Sequence, residues 1–492
     1  MTARQSRLWT VAIVAALAAA DLRAAGPVFV RPTAAPASAV DARPVRDRLV
    51  VHEWGTFTVL QDERGNGLGG INVDDEPLPE FVHSLYRYSP TRSHSLGGAY
   101  ESKGAPQRHP YVRMRLETPV MYFYPPTGAA KPLQLDVSVQ FRGGLLTQHY
   151  PAAEVVAPGI DRQGRPQQIS GSNRASGSVR PDTVGELHWR NLQVGTAGTV
   201  PLTDSPVWLA PRVPDAATVT AESGESERYL FYRGIANIEA PLRVSGGANS
   251  AEFVVRGNLG NVVAENESIS IGPLWIVHIL DDGRCAYRQL SPAQAGTDAG
   301  AEIARFRPDF AAGDFAGANL HKLCAEMHAA LVADGLYDAE ATGLLETWRA
   351  AYFKSPGLRL FFLVPQAWTD GVLPLAISQP AQIRRVMVAR VELISPQQRT
   401  LLGRLRTQPV SDLAWLDQVF RSPQAERFFQ DRSSFRDPNV RVPADYQTYL
   451  DMGRFRNALV RNEAEVRPSP SLHDFIRAYG LEGYSLADAT DR

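Results

Sequence analysis

The sequence predicts an α+β protein of more than one domain, in which an antiparallel β-sandwich-like region precedes a helix-rich α+β region. Apolar and polar residues alternate with a period of two from about residue 49 to residue 280, which is typical of half-buried antiparallel strands. After about residue 295 the apolar residues recur with the period of an α-helix. At 492 residues, the chain is also longer than a single hydrophobic core usually supports.

The first segment, residues 1–25, has the pattern of a secretory signal peptide. Arg4 and Arg7 precede an apolar run from Leu8 to Ala20, and small residues follow at a suitable cleavage position. Residues 26–47 are rich in proline and alanine and are expected to be a spacer. We therefore expect a periplasmic or secreted protein of bacterial type, with an uncleaved N-terminal anchor as the alternative.

Composition argues against two classes of partner. The formal net charge is −1, from 51 basic and 52 acidic residues, and no basic stripe stands out. This balance argues against nucleic acid or anionic lipid as the main partner. No segment after the signal is long and apolar enough to span a bilayer, so we expect no integral membrane segment after cleavage. The ligand or protein partner, and any cofactor, stay open.

Residues 48–292 are expected to form the β-sandwich-like region. Leu133 to Phe141 alternates without interruption and predicts a strand with one buried face. Val50–Leu60 and Val120–Tyr124 are further strand candidates, and Pro119 is expected at a strand start or sheet edge because it cannot donate a ladder hydrogen bond. Residues 155–185 are expected to be a long exposed loop.

Residues 293–492 are expected to form the helix-rich α+β region. The periodicity predicts helices over Ala316–Ala333 and Asp338–Tyr352, the second with Asp338 as its N-cap. Leu358–Val364 and Arg385–Leu393 have strand character, and Ser395-Pro396 is a typical helix start.

The string Val51-His52-Glu53-Trp54-Gly55-Thr56-Phe57 contains the first candidate site. On a strand, His52 and Trp54 share one face and Glu53 lies on the other. Histidine near neutral pKa can act as a metal ligand or a general base, and Trp54 can stack on a ligand. The structural alternative is that Trp54 anchors the core and His52 is simply hydrogen bonded.

Trp368 and Asp370 complete the candidate ligand site from the second region. They follow an apolar strand and Pro365, which predicts a loop held by a rigid scaffold. Tryptophan can stack on a ligand, and aspartate can orient a histidine. In the structural alternative, these residues only stabilise the interface between the two regions.

His149 is a weak candidate for a second metal ligand beside His52, provided that their strands meet.

Cys285 and Cys324 are the two cysteines of the chain, and in an oxidising compartment they could form one disulfide. Alternatively, Cys324 is a buried side chain on an apolar helix face. The common zincin, nucleophile-elbow, phosphate-loop and haem-attachment motifs are absent from the sequence, so no catalytic residue is assigned.

The strings HEWGTFTV, ETPVMYFY, FRGGLLTQHYP, YLFYRG, GLRLFFLVPQAWTDGVLPL and RRVMVARVE resemble a group of large exported bacterial proteins of uncharacterised function that share a VHEWGTFT-type string. The resemblance extends from His52 to about Glu392, and it implies that the two regions occur together as one architecture. It implies no catalytic residues. In that group Glu-Trp usually precedes Tyr150-Pro151, and this chain has Gln148-His149 instead, so the resemblance supports no role for His149.

These observations favour an exported protein, periplasmic or extracellular, that binds a ligand or partner. The alternative is a metal-assisted hydrolase or oxidoreductase built around His52, with its site at the interface of the two regions.

Overall fold

The computed structural model describes residues 46–481, apart from 74–77, 86–100, 103–104, 107, 130–131, 158–178, 197, 247–251, 260–270, 291–299, 354, 426–427 and 429–436. The expected signal peptide and nearly all of the expected spacer lie outside these residues, as does most of the expected loop 155–185. Arg46–Arg492 groups into one compact unit.

Strands supply most of the regular structure in the first 300 residues. In chain order they are β1 (Leu49–Gln61), β2 (His83–Ser84), β3 (Glu101–Ser102), β4 (Ala105–Pro106), β5 (Met114–Tyr124), β6 (Leu133–Arg142), β7 (Gly144–Tyr150), β8 (Glu154–Val156), β9 (Val184–Val194), β10 (Val219–Thr220), β11 (Ser226–Glu227), β12 (Leu230–Ala236), β13 (Leu242–Ser245), β14 (Phe253–Gly257), β15 (Leu274–Ile279), β16 (Cys285–Leu290), β17 (Glu302–Phe306), β18 (Gly357–Val364), β19 (Leu375–Ile377) and β20 (Ala381–Leu393).

Helices are concentrated in the later part of the chain. They are α1 (Pro206–Leu209), α2 (Gly317–Ala333), α3 (Asp338–Ala351), α4 (Gln366–Val372), α5 (Pro396–Leu405), α6 (Leu416–Arg421), α7 (Ala444–Leu450), α8 (Arg456–Val466) and α9 (Pro470–Ala478), with 3₁₀ turns at Ala210–Arg212, Ala312–Asp314 and Leu413–Trp415. No helix among the described residues is both long and apolar enough to cross a membrane.

One large mixed sheet joins the two regions that the sequence suggests. Its main strand order is β11-β10-β9-β7-β12-β5-β1-β20-β18-β15-β16, with β2, β6, β8 and β19 paired beside this path. β1 and β20 pair in parallel along their whole length, from Leu49 opposite Ala381 to Gln61 opposite Leu393. A three-stranded sheet, β13-β14-β17, and the β3-β4 pair stand apart. The described strands and helices thus make a mixed α+β fold, and a separate N-terminal β-sandwich is not confirmed.

The boundary expected at residues 292–293 does not divide this sheet. β1 and β5 come from the first region and β18 and β20 from the second, yet β5-β1-β20-β18 are consecutive strands. Strands from both sides of the expected boundary thus belong to the same sheet.

β1 is buried along its whole length, so both of its faces are covered. The strictly alternating, half-exposed pattern expected for the sandwich strands holds for β6, whose inward residues include Leu135, Val137 and Phe141, but not for this central strand. Both faces of β1 are covered, since Val51 and Phe57 belong to one apolar cluster and Trp54 belongs to the other.

A bulge interrupts the pairing of β1 with β5 beside Gly55. Trp54 lies opposite Val120 and Thr56 opposite Glu117, which leaves an extra residue on β5. A Cβ at Gly55 would lie only 2.9 Å from the Cα of Pro119 and 2.9 Å from the sulfur of Met387, so only glycine fits there. The expectation that Pro119 marks a strand start or sheet edge is wrong, because the bulge accommodates a proline in a central strand.

The helices divide between two apolar clusters. α2 and α3 pack with Trp54 and Trp275, and Leu323, Met327 and Leu331 form the buried stripe of α2. The C-terminal helices pack in the other cluster, which contains Val51 and Phe57 from the opposite face of β1. The expected start of α5 is confirmed, since the Ser395 hydroxyl accepts a 3.1 Å hydrogen bond from the Gln398 amide. The N-cap of α3 is Tyr337, one residue before the Asp338 that the sequence suggests.

Candidate functional site

His52 is held by a buried carboxylate from the second region of the chain. It lies on β1 and is 5% exposed, and its Nδ1 is 2.8 Å from Oε2 of Glu340 on α3. Glu340 is fully buried. The Tyr124 hydroxyl donates to its Oε1 at 2.8 Å, and the backbone amide of Tyr337 donates to its Oε2 at 2.7 Å. The carboxylate therefore fixes the orientation of the imidazole.

Two tyrosine rings flank the imidazole of His52. The ring centroids of His52 and Tyr337 are 4.5 Å apart, and those of His52 and Tyr124 are 5.7 Å apart in an edge-on arrangement. Burial, and then the charge of Glu340, raise the pKa of the Tyr124 hydroxyl well above its usual value, so Tyr124 stays a hydrogen-bond donor. Nε2 of His52 makes no hydrogen bond to the described part of the chain.

Trp54 shares the face of His52 but lies deeper in the protein. It is fully buried in the cluster that α2 and α3 cover, and its ring centroid is 6.4 Å from that of Tyr122. A side chain in this position stabilises the core and does not meet a ligand from solvent, which agrees with the structural alternative for Trp54.

Glu53 belongs to a separate buried network on the opposite face. The Arg385 Nε and the Tyr232 hydroxyl both donate to its carboxylate. Arg385 Nη1 donates to Asp370 at 2.9 Å and to the Leu373 carbonyl at 2.6 Å. Burial lowers the pKa of Arg385, but the charges of Glu53 and Tyr232 and the hydrogen bonds to Glu53 and Asp370 together raise it above its usual value. Arg385 thus links Glu53 to Asp370, two of the candidates from different regions.

Arg385 and Tyr232 are members of this network that are not among the candidate residues predicted from the sequence. Arg385 is 1% exposed and lies in β20, where it pairs with Glu53 in the β1–β20 register. Charged residues among the β-branched and apolar residues of a predicted strand are the sequence signal for a buried ion pair, but the partner depends on the long-range register.

Trp368 lies in helix α4, and the prediction of a loop around Trp368 and Asp370 is wrong. Pro365 is the residue before the helix, where its fixed φ and missing N–H cost little. Trp368 is 3% exposed and packs on Phe57 with ring centroids 5.4 Å apart, whereas the Asp370 side chain is half-exposed. Trp368 is therefore a core residue.

His149 and His52 do not share a site. β5 and β12 separate β1 from β7, which carries His149, so the two backbones are about 14 Å apart at the usual strand spacing. His149 stacks on His83 at 5.3 Å, and burial, with a smaller contribution from His83, lowers the pKa of His149 to about 3. In the described residues, no group of three or more His, Cys, Asp or Glu side chains is arranged to hold a metal ion.

Cys285 and Cys324 are free thiols in the structure. Cys285 begins β16 and is buried, and Cys324 lies on α2. Burial raises the pKa of Cys285 to about 11 and that of Cys324 to about 12. The thiolate is the reactive form of cysteine, so this environment suits packing rather than nucleophilic chemistry.

Comparison with known proteins adds no family assignment. No family model matches the chain, and no curated relative matches it. Similar solved structures include the Fcho1 mu homology domain of Danio rerio with bound Eps15 peptide, at TM-score 0.21 and 9% identity, covering 71% of this chain and 96% of that chain. They also include the yeast delta-COP-I mu-homology domain complexed with a Dsl1 WxWxV peptide, at TM-score 0.19 and 7% identity, covering 71% and 97%. Structural similarity at TM-scores this low supports no conclusion about the fold or the function of this chain.

Proposed function

We propose that this chain is an exported protein that binds a small ligand at His52, through the imidazole Nε2. The observation that carries the proposal is the division of roles between the two ring nitrogens. Glu340 occupies Nδ1, whereas Nε2 has no partner in the described part of the chain and the side chain is 7% exposed. An imidazole held in this way presents one oriented nitrogen to a ligand.

The chemistry of the surroundings limits the ligand. Because the carboxylate of Glu340 accepts from Nδ1, the neutral imidazole carries its lone pair on Nε2. This nitrogen accepts a hydrogen bond from a hydroxyl or an amine of the ligand. The rings of Tyr124 and Tyr337 offer apolar surface beside it. We therefore expect a small molecule with a hydrogen-bond donor next to an apolar or planar group.

An acid–base enzyme is the second candidate function, and the same histidine–carboxylate pair favours it. A buried carboxylate that orients an imidazole through Nδ1 leaves Nε2 able to take a proton from a substrate. The metal-assisted form of this candidate needs further ligands beside His52, and metal analysis of protein purified without chelator tests it directly.

His52→Asn tests the role of Nε2 while keeping the contact with Glu340. An asparagine amide can replace Nδ1 as the donor to the carboxylate, but it has no group at the Nε2 position. We expect the melting temperature to change little. Neutral small molecules that carry a hydrogen-bond donor next to an apolar or planar group, and that stabilise the native protein in a thermal-shift panel run in chloride, should lose their effect. His188→Asn, on a partly exposed histidine of β9, is the matched control.

Chemical modification checks the same proposal without a known ligand. Diethyl pyrocarbonate acylates accessible neutral imidazole nitrogens, so we expect mass mapping to find His52 modified in the native protein. If His52 reacts only after unfolding, or if His52→Asn binds the panel compounds as the native protein does, the proposed ligand site is wrong.

Export is supported by the basic start, the short apolar run and the small residues that follow it. We expect N-terminal sequencing of protein recovered from the periplasm or medium to begin between about residues 21 and 26, as the cleavage rule implies. An intact Met1 on protein retained in the membrane would contradict this proposal.

A further inference from the structure

A row of polar side chains crosses three neighbouring strands on the Trp54 face of the sheet. Thr58 of β1 lies opposite Arg115 of β5 and opposite Arg390 of β20. Residues in register on adjacent strands direct their side chains to the same face. Thr58 therefore stands between two arginines, and all three side chains are buried.

The row continues onto β18 through Arg359, which lies opposite Glu392. Arg359 donates to the carbonyls of Tyr352 and Ser355 at 2.8 and 2.6 Å and is 3.4 Å from the Glu392 carboxylate. Arg390 pairs with the same carboxylate, donates to the Ser355 hydroxyl at 3.2 Å, and lies 4.9 Å from the centre of the Tyr352 ring. Ser355 is half-buried, so the cluster reaches solvent on that side.

Positive charge exceeds negative charge in this buried row. Arg359 and Arg390 carry two positive charges, and the Glu392 carboxylate that pairs with both carries one negative charge. Burial, with a smaller contribution from Arg390, lowers the pKa of Arg359 to about 9, although the charge of Glu392 opposes this shift. An excess buried charge costs free energy unless a counter-charge accompanies it.

Several buried polar atoms of the row have no hydrogen-bond partner in the part of the chain that the structure describes. Nη1 of Arg390 and Oγ1 of Thr58 are buried and have no hydrogen bond within the described residues. Arg390 is 2% exposed and Thr58 is fully buried. Buried polar groups are nearly always hydrogen bonded, so two unpartnered donors at paired positions beside an excess positive charge indicate a missing acceptor.

We propose that this row binds an oxyanion, phosphate or sulfate, either free or as the end group of a small molecule, between Arg390 and Thr58. Arginine guanidinium groups recognise such anions with short charge-assisted hydrogen bonds. The bound anion neutralises the excess charge, accepts from Nη1 of Arg390 and accepts from the Thr58 hydroxyl. The site is independent of His52 and of its ligand.

The test compares melting temperatures in sodium phosphate, sodium sulfate and sodium acetate against sodium chloride at equal ionic strength. Low millimolar concentrations keep general salt effects small. We expect phosphate or sulfate to raise the melting temperature of the full chain by about 2–5 °C, as binding to the folded state implies, and acetate to raise it less. The anion that gives the larger rise identifies the preferred group.

Thr58→Val separates binding from folding, because valine has nearly the same shape and leaves no unpartnered hydroxyl. We expect it to melt in chloride at or above the native temperature and to lose at least half of the anion-dependent rise. Arg390→Lys keeps the charge but removes Nη1, and should also lose most of the rise. Arg228→Gln, on an exposed arginine, is the control and should keep the anion-dependent rise.

The proposal is overturned if neither anion raises the melting temperature of the native protein above its value in chloride. It is also overturned if Thr58→Val and Arg390→Lys show the same anion-dependent rise as the native protein.

Discussion

Replacing Glu53 by Gln is expected to lower the free energy of unfolding by about 3–5 kcal/mol, the usual cost of breaking a buried ion pair from one side. Glu53 is fully buried and Arg385 is 1% exposed, so water cannot replace the lost carboxylate. The guanidinium would keep its contacts with Asp370 and Leu373, and only Asp370 is charged. Urea titration of the native protein and the variant measures the change.

Asp370→Asn is the matched control for this prediction. It removes the other carboxylate on Arg385, but that carboxylate is half-exposed, and pairs of this kind contribute about 0–1 kcal/mol. We also expect the double variant Glu53→Leu with Arg385→Met to be more stable than either single variant, because no charge is then left buried. If Glu53→Gln and Asp370→Asn lower the free energy of unfolding by the same amount, Glu53 does not make the main interaction of Arg385.

Acidification is expected to destabilise the folded protein through His149. In the unfolded chain this imidazole takes up a proton near pH 6.5, whereas in the folded protein burial and the neighbouring His83 lower its pKa to about 3. The unfolded state therefore binds more protons between these values. The contribution of neutral His149 to the free energy of unfolding is fully present above about pH 6.5. Below about pH 6 this contribution falls by about 1.4 kcal/mol for each pH unit, until the pKa of the folded state is reached.

His149→Leu isolates this contribution from the carboxylates that titrate in the same range. The Nδ1 of His149 has no hydrogen bond in the described part of the chain, so leucine leaves no donor without a partner. The groups that face it are His83, which is hydrogen bonded to Glu225, and the ring of Trp189. Chemical unfolding at pH 7.5, 6 and 5 should show a smaller loss for this variant than for the native protein. Equal losses would contradict the assignment, and exposed His473→Leu should behave as the native protein does.

Local patterns in the sequence predict several elements of this fold but not the sheet order. The alternation of Leu133–Phe141 gives β6, and Ser395-Pro396 gives the start of α5, because each depends only on neighbouring residues. The parallel pairing of β1 with β20 joins residues more than three hundred positions apart, and no local period encodes it. The same holds for the site. The residue spacing predicts which side chains share each face of β1. The contacts of His52 with Glu340 and of Glu53 with Arg385 could not be predicted in this way, because they depend on long-range packing.

The pairing of β1 with β20 also decides when this protein can fold. As the chain is synthesised, β1 appears among the first residues of the sheet and its parallel partner appears only after residue 380. Until then β1 has an open edge and apolar residues on both faces, a combination that invites association with other chains. Closing so long a loop is slow. A chain that cannot complete its central sheet early remains unfolded for longer, which creates a need for a chaperone until β20 has been synthesised.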